Sequence, residues 1–366
     1  KNLYAYPPSK LEPVSIVMPC YNEGEHIEEA IESLLQLDYP SEMLEIIIVD
    51  DKSTDNSVDI IKKYISKHKN VKLIVNKENS GGAAEPTNIG IRASKYDYVA
   101  VADSDSSPEK DALKKMIGFL QQEEKVAAVT CAILSKKPQT FMQKLQSIEY
   151  QVIGFNRKLL DLVDAVYVTP GPFALYKKRV LLEVGLFDKK NLTQDIEIVW
   201  RLMSHGYKAR MCLAAKTYSA TPKKFKEWYK QRVRWNIGGT QTLIKYKNFL
   251  FRKKMLGAFI IPFFSFSLFL GLFGLSIFSY LWTRRLMTSY LSTKYSIYAS
   301  STIVRFEDLT FAPSILNFFG AALFFLGISF TYLGLSVMKE NSQKDKNVFN
   351  VLFYIIVYLA IYPTIM

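Results

Sequence analysis

Three long apolar runs without a charged residue occupy most of the last third of this chain. They cover residues 256–282, 311–337 and 348–366. An α-helix needs roughly 20 such residues to cross the hydrocarbon core of a bilayer, and each run reaches about that length or exceeds it. A buried core helix is a poor alternative, because no soluble domain needs two such runs in succession. We therefore expect three membrane spans.

The charge balance also favours a membrane. Lys and Arg together number 47 against 34 for Asp and Glu, which gives a formal net charge of +13. Basic residues cluster before the first apolar run and between the second and third, which predicts that these segments and the N-terminal region lie on the cytoplasmic side of a plasma or cytoplasmic membrane. Residues 283–310 would then form an outward-facing loop. No nucleic-acid motif accompanies the positive charge, so we expect no nucleic-acid partner.

The cysteines and histidines exclude two kinds of site. Cys20, Cys131 and Cys212 are isolated and odd in number, which indicates a reducing compartment and no disulfide framework. The three histidines are scattered along the chain, so a metal site built from histidine is not expected.

The first 122 residues alternate between strand-like and helix-like segments. Such alternation predicts βαβ units around a buried parallel sheet. The predicted strands are residues 14–18, 45–49, 71–75 and 98–102, and the predicted helices are 25–37, 56–67, 86–94 and 108–122.

Polar motifs follow three of these strands. Residues 19–23 follow the first strand, Asp50-Asp51 the second, and Asp103-Ser104-Asp105 the fourth. Ligands of open α/β sheets bind outside the carboxyl ends of the strands, so the three motifs predict one site. Carboxylate oxygen is what Mg²⁺ and Mn²⁺ prefer, and these cations pair with phosphates. Helix capping by Ser53 or Thr54 is a structural interpretation of the second motif that is compatible with function.

Three further motifs follow. Residues 169–172 contain two prolines that deny a sheet its donors, which predicts a bend. Asp195 follows Thr193 and Gln194, where Thr193 could cap a helix over 196–204. Residues 231–235 place Gln231, Arg234 and Trp235 on one helical face. Arginine suits bidentate phosphate contacts, although a basic interfacial helix with an aromatic anchor is the plainer interpretation.

The order of these motifs, followed by apolar runs, resembles the membrane-embedded family 2 glycosyltransferases, especially the cellulose, chitin and hyaluronan synthase branch. The resemblance covers about residues 14–240. It implies an α/β fold with a Rossmann-like GT-A nucleotide-sugar domain, followed by interfacial helices and a C-terminal transmembrane helical region. The implied reaction moves a hexosyl unit, with inversion, from a nucleotide sugar that is UDP-linked by the family's habit.

The resemblance also implies a role for each matching residue. Asp195 would be the catalytic base, and Asp105 with Asp103 would bind Mg²⁺ or Mn²⁺. Donor-binding residues would be Pro19, Tyr21, Glu23, Asp51, Asp103, Gln231 and Arg234. Acceptor-binding residues would be Gly171, Pro172 and Trp235.

The chain departs from the family pattern in three places. Gln194 stands where the family has Glu, and residues 236–239 lack the Arg that usually follows the motif's Trp. The Gly-rich segment 79–82 contains no basic residue, so a turn is favoured there over a phosphate-binding loop.

We expect three regions. Residues 1–222 would form the GT-A domain, 223–254 interfacial amphipathic helices, and 255–366 the transmembrane region. Residues 140–162 are a further candidate interfacial helix, with an ordinary surface helix as the alternative.

The acceptor stays open at this stage. A lipid, a lipid-linked sugar or a growing polysaccharide exported by a processive synthase would each fit, and a membrane-bound nucleotide-sugar-binding subunit without turnover is a further alternative. The expected partners are the donor, a lipid or saccharide acceptor and the bilayer, and a homo-oligomer is compatible with the sequence.

Overall fold

A computed structural model describes residues 2–300, 315–338 and 348–358 of the chain. Its eight strands form one sheet. They are β1 (Val14–Cys20), β2 (Leu44–Asp50), β3 (Val71–Val75), β4 (Tyr98–Val101), β5 (Ser106–Pro108), β6 (Val126–Ser135), β7 (Ala174–Lys177) and β8 (Lys208–Ser219).

Helices cover both faces of this sheet and continue beyond it. They are α1 (Ile27–Leu35), α2 (Ser57–Ile65), α3 (Ala84–Ala93), α4 (Ala112–Gln122), α5 (Phe141–Asp161), α6 (Lys178–Val184), α7 (Gln194–Ser204), α8 (Phe225–Tyr246), α9 (Ile261–Tyr298), α10 (Ile315–Val337) and α11 (Val348–Phe353). Short 3₁₀ turns cover Ser41–Met43 and Lys247–Phe249, and π-helical turns cover Leu256–Ile260 and Tyr354–Tyr358.

The strand order is β3-β2-β1-β4-β7-β6-β8-β5. The four strands predicted from sequence pair in parallel. β7 pairs antiparallel with both β4 and β6, and β5 pairs antiparallel with β8, so the sheet is mixed. The expected α/β architecture is therefore confirmed, whereas the expected parallel sheet is interrupted by β7 and β5, although β6 and β8 also pair in parallel.

The inner strands read as continuous apolar runs because both of their faces are covered. Every residue of β1 and β2 is buried. Alternate side chains of β1 enter opposite clusters: Val17 packs with α3, α6 and α7, while Ile16 and Met18 pack with α1 and α4. This two-sided core fixes the strand ends at which the polar motifs lie.

Helices α5 and α8 carry polar side chains into the interior. α5 packs against β6 and β8 on one side and against α10 and α11 on the other, so it is more enclosed than either a surface helix or a free interfacial helix would be. Arg232 of α8 is fully buried and forms an ion pair with the buried Glu149 of α5. Its guanidinium also lies 4.0 Å from the ring centroid of Trp235 and 5.7 Å from that of Trp228.

The first apolar run forms a longer helix than we predicted. Leu256–Tyr298 is long and apolar enough to cross a membrane, and it is the one such helix in the described residues. Residues 283–298, predicted as part of a loop, continue this helix. Arg284 and Arg285 do not end it, because arginine has high helix propensity.

The other two predicted spans are described in part. α10 covers residues 315–337 of the second and includes the shorter apolar stretch Ala321–Val337. α11 and the π-helical turn after it cover residues 348–358 of the third. Residues 311–314 and 359–366, and residues 301–310 of the predicted loop, lie outside the described part of the chain.

The buried Glu149–Arg232 pair should contribute strongly to stability. We expect Arg232→Met to lower the free energy of unfolding by about 3 kcal/mol or more, because it removes the cation that pairs with a buried carboxylate. The matched control is Arg179→Met, whose exposed side chain pairs with Glu124 at 3.8 Å; it should change the free energy by less than about 1 kcal/mol. Urea unfolding in detergent would measure both, and equal effects would contradict the prediction.

Candidate active site

The predicted polar motifs meet at one edge of the sheet. β1 and β2 end in register at Cys20 and Asp50, and β4 ends beside them. A cleft of about 440 Å³ opens at this edge. Six of the predicted site residues line it: Pro19, Tyr21, Glu23, Asp51, Asp103 and Asp105.

Asp51 is held in place by the Gly-rich segment. Its Oδ1 accepts a hydrogen bond from Asn76 (2.7 Å), and its Oδ2 accepts from the amide and hydroxyl of Ser80 (2.9 and 2.8 Å). The Gly81 amide donates to Asn79 Oδ1 (2.8 Å), and Gly81 has a φ of +80°. The segment is therefore the turn that the sequence favours, and it shapes the cleft wall.

Ser53 and Thr54 do not cap α2, which corrects one structural interpretation. The N-cap of α2 is Asn56, and its side chain makes no capping hydrogen bond. Ser53 Oγ instead accepts from the Asn22 amide (2.9 Å), and the Thr54 amide donates to Asn22 Oδ1 (2.7 Å). These bonds tie the loops after β1 and β2 together, so the two side chains organise the rim.

The bend at residues 169–172 lies directly on the Asp103 carboxylate. No strand forms in the bend, since β7 starts at Ala174. A Cβ on Gly171 would lie 2.5 and 2.7 Å from the two carboxylate oxygens of Asp103, so only glycine fits without displacement. The Pro172 carbonyl accepts from Ser106 Oγ (2.8 Å). The predicted acceptor loop and the predicted metal motif are therefore in contact.

Burial raises the pKa of the carboxylates in the cleft, and the charges of neighbouring carboxylates add to the rise at Asp103 and Glu23. Burial raises the pKa of Asp103, and the negative charges of Asp105 and Asp195 raise it further, while Arg234 opposes them. Burial also raises the pKa of Asp105. Burial, with Asp105 next, raises the pKa of Glu23 to about 7. Such shifts are the expected result of crowding like charges into a poorly solvated cleft.

A divalent metal ion would stabilise the crowded carboxylates of the cleft. A cation between Asp103 and Asp105 would replace their repulsion with attraction, and both carry the hard oxygen ligands that Mg²⁺ and Mn²⁺ prefer. In the described residues no group of three or more His, Cys, Asp or Glu side chains is arranged to hold a metal. The two aspartates therefore fit a cation that takes its other ligands from phosphate and water.

Asp195 lies in the first turn of α7, within electrostatic range of Asp103. Burial raises its pKa, and Arg234 partly offsets this rise. Its Oδ1 accepts from the Ile196 amide (3.0 Å). Thr193 occupies the N-cap position, but its hydroxyl donates to Asn191 Oδ1 (3.2 Å) and does not cap the helix. The expected side-chain cap is therefore wrong, and hydrogen bonds of Asn191 and Leu192 to α8 hold the segment before α7.

The predicted helical face of residues 231–235 divides into separate contacts. Arg234 is exposed, donates weakly to the Leu192 carbonyl (3.4 Å) and acts electrostatically on Asp103 and Asp195. Gln231 does not line the cleft, and its Oε1 accepts from Gln146 (2.9 Å). One face of the Trp235 ring is covered by Arg232.

Sequence reasoning missed two buried charges that position these motifs. Arg232 anchors α8 to α5, as described above. Glu197, two residues after Asp195, is fully buried and accepts hydrogen bonds from Lys245 (2.6 Å) and Tyr246 (2.8 Å) of α8 and from Arg201. The sequence could have indicated this residue, because Glu197 stands four residues before Arg201 and oppositely charged residues at that spacing pair on a helix.

Comparison with known proteins identifies the family. A sequence model described as "Glycosyltransferase like family 2" matches residues 12–238. The chain belongs to glycosyltransferase family 2. It is therefore a glycosyltransferase, which disfavours the alternative of a subunit without turnover.

Two curated relatives from staphylococci are named poly-β-1,6-N-acetyl-D-glucosamine synthase. That of Staphylococcus aureus is 34% identical over 237 residues, covering 64% of this chain and 57% of the relative. That of Staphylococcus epidermidis is 30% identical over 360 residues, covering 97% of this chain and 80% of the relative. The chain thus spans little more than half the length of the S. aureus relative.

A solved structure supports the fold. The mannosyltransferase PcManGT of Pyrobaculum calidifontis, in complex with GDP-Man and Mn²⁺, has a TM-score of 0.56 and 23% identity, covering 67% of this chain and 66% of that one. This similarity agrees with a GT-A domain.

Gly238 sets the distance between α8 and the segment that carries Asp195. A Cβ there would lie 2.4 Å from Thr193 Oγ1 and 2.7 Å from its amide nitrogen, whereas a Cβ on Gly239 would meet nothing within 4 Å. We expect Gly238→Ala to lower the sugar-transfer rate by about 100-fold, the effect of a displacement near 1 Å at a catalytic group.

Gly239→Ala is the matched control and should keep the rate within about twofold. Transfer of radiolabelled sugar would measure both variants, with thermal unfolding as a check of folding. Equal activity in the two variants would show that the α7–α8 distance does not matter.

Proposed function

We propose that this protein transfers N-acetylglucosamine, with inversion, from a nucleotide sugar to a growing saccharide at a membrane surface. The observation that carries the proposal is a cleft lined by Asp103 and Asp105, with Asp195 and Arg234 within electrostatic range of Asp103, in a family 2 glycosyltransferase. The sugar and the polymeric acceptor are inferred from the names of the two staphylococcal relatives.

The donor would occupy the cleft at the ends of β1, β2 and β4. Asp51 would accept a hydrogen bond from the base, uracil in the family's usual donor, since Asn76 and Ser80 leave part of its acceptor capacity free. Pro19, Tyr21 and Glu23 would line the same end. Asp103 and Asp105 would hold Mg²⁺ or Mn²⁺, which neutralises the charge that grows on the departing diphosphate.

Asp195 would act as the general base. An inverting displacement requires a group that takes the proton of the acceptor hydroxyl while that hydroxyl attacks the anomeric carbon. The raised pKa of the Asp195 carboxyl brings it nearer to working pH, which strengthens proton transfer. Arg234 would face the diphosphate and support its departure, because it is exposed beside the same carboxylates.

The acceptor would bind over the bend at residues 169–172. Gly171 and Pro172 bring backbone close to Asp103, so a sugar there would lie next to the reacting centre. Trp235 would offer the ring face that Arg232 does not cover. Gln231 does not line the donor cleft, so its proposed contribution is to hold α8 against α5 through its hydrogen bond with Gln146.

The catalytic domain would lie on the cytoplasmic side of the membrane. We retain the division into a GT-A domain at 1–222, interfacial helices at 223–254 and a membrane region at 255–366. It is supported by the end of β8 at Ser219, the start of α8 at Phe225 and the long apolar helix that follows. Many apolar side chains of α9 are exposed, as expected for a surface that faces lipid.

A donor screen tests the proposed function. Purified protein in lipid would be given UDP- and GDP-linked hexoses and N-acetylhexosamines, and the products would be read by mass spectrometry. We expect UDP-N-acetylglucosamine to be used, with a distribution of chain lengths. One sugar per lipid would favour a single-transfer enzyme, and use of another donor alone would refute the proposed sugar.

Removal of the base should abolish transfer without abolishing donor binding. We expect Asp195→Asn to lower the transfer rate at least about 100-fold, because a positioned base contributes at least that factor. Calorimetry should show UDP affinity within about threefold of the unmodified protein. Asp111→Asn is the matched control, since Asp111 pairs with Lys115 at the start of α4 (2.7 Å), away from the cleft. Full activity of Asp195→Asn would refute the assignment.

Chelation of divalent metal should stop transfer. We expect EDTA to reduce the rate to background and excess Mg²⁺ or Mn²⁺ to restore it, because Asp103 and Asp105 would otherwise repel the diphosphate. Asp105→Asn should also weaken metal-dependent UDP binding. An unchanged rate in EDTA would exclude the metal role of the two aspartates.

A further inference from the structure

Helix α5 presents a polar stripe toward the catalytic groups. Gln146, Tyr150 and Arg157 are spaced four and seven residues apart, which places them along one face of the helix. Gln146 donates to the Tyr150 hydroxyl (3.2 Å) and to Gln231 of α8 (2.9 Å), so this face meets the helix that carries Arg234. None of the motifs recognised in the sequence includes this stripe.

Arg157 is the unusual member of the stripe. Its side chain is buried, with 7% of its surface exposed. Among the residues that the structure describes, no hydrogen bond or ion pair is formed by its guanidinium, in contrast to the neighbouring Lys158, which pairs with Asp161 at 2.8 Å. None of its nitrogens is among the fully enclosed polar atoms without a partner in the described residues, so the end of this otherwise buried side chain is reached by solvent. The five N–H donors of the guanidinium are therefore open to oxygen atoms of a ligand.

Arg157 lies among two tyrosines, the Asp195 carboxylate and the buried thiol of Cys131. It lies within electrostatic range of Tyr167, Asp195 and Tyr150. Tyr167 lies two residues before the bend at residues 169–172, and its ring packs edge-on against Phe264 (4.8 Å between centroids). Tyrosine rings combine an apolar face with a hydroxyl, which matches the apolar faces and hydroxyl groups of a sugar.

This group lies outside the donor cleft. Neither Arg157 nor the two tyrosines line it, whereas Asp103 does. Both Asp103 and Arg157 are nevertheless within electrostatic range of Asp195. Asp195 therefore lies between the donor cleft and the Arg157 group. With the donor in the cleft, an acceptor that approaches Asp195 from the other side would contact the Arg157 group.

We propose that Arg157, Tyr150 and Tyr167 form a subsite for the acceptor saccharide, in which Arg157 donates hydrogen bonds to uncharged hydroxyl or acetamido oxygens of the sugar beside the attacking hydroxyl. The inference rests on the proposed function and adds to it the residues that bind the acceptor. Arg157 would bind substrate without taking part in proton transfer.

The test separates acceptor binding from donor binding. Purified full-length chain in lipid would receive UDP-N-acetylglucosamine and a soluble β-1,6-linked N-acetylglucosamine pentamer. We expect Arg157→Gln to raise the KM for the pentamer about tenfold or more, as expected from losing a hydrogen bond to a charged donor. The Kd for UDP, measured by calorimetry, should stay within about twofold. Asn156→Ala, at the exposed neighbouring position of α5, should leave both quantities unchanged.

A second variant covers the case in which Arg157→Gln does not fold. Tyr167→Phe removes one hydroxyl and keeps the contact with Phe264, and it should raise the KM for the pentamer at least threefold with an unchanged Kd for UDP. An unchanged KM in every folded variant, or an equal loss of UDP affinity, would overturn the subsite. Absence of pentamer elongation by the unmodified protein would instead overturn the proposed function, so the two failures are distinguishable.

Discussion

Burial of four acidic side chains at one edge of this sheet is the constraint on which the proposed site depends. Glu23, Asp103, Asp105 and Asp195 share one poorly solvated region, and the pKa of each is raised there. A free chain would separate these groups. The parallel register of β1, β2 and β4 fixes the loops after them, and the buried apolar strands supply the free energy that holds them in place. A bound cation would attract both these carboxylates and the diphosphate of an anionic donor, so it would stabilise the crowded site.

The two helices α7 and α8 complete the site through contacts that are polar and close. Gly238 lets α8 approach Thr193, and Asn191 donates to Thr242 (2.9 Å) while the Leu192 amide donates to Gln241 (3.1 Å). Glu197 then joins the two helices through Lys245 and Tyr246. Because these bonds surround the segment before Asp195, the carboxylate that we propose as the base is positioned by the same helix that carries Arg234.

The sequence predicted the four parallel strands β1–β4 and six of the residues that line the cleft. Apolar runs ending in acidic residues are a strong local signal, and β3 was predicted at its observed bounds. β8 was missed because its residues mix charged, small and apolar side chains without a simple period. The Glu149–Arg232 pair joins residues 83 positions apart, so no local pattern reveals it. The first apolar helix was predicted to end at residue 282, before Arg284 and Arg285. Charged residues can mark the end of an apolar span, but the helix itself continues through them to Tyr298.

The start of the long apolar helix is part of the same hydrophobic core as α7. Leu256, Ile260 and Ile261 are buried in the same cluster as Trp200 of α7. Phe264, one turn further along, packs against both Trp200 (5.9 Å between centroids) and Tyr167 (4.8 Å). A displacement of α9 would therefore act directly on the helix that carries Asp195 and on Tyr167, two residues before the bend at residues 169–172. Under the proposed membrane insertion, α9 would thus fix the orientation of the acceptor side of the site relative to the bilayer, because Phe264 contacts both Trp200 and Tyr167 directly.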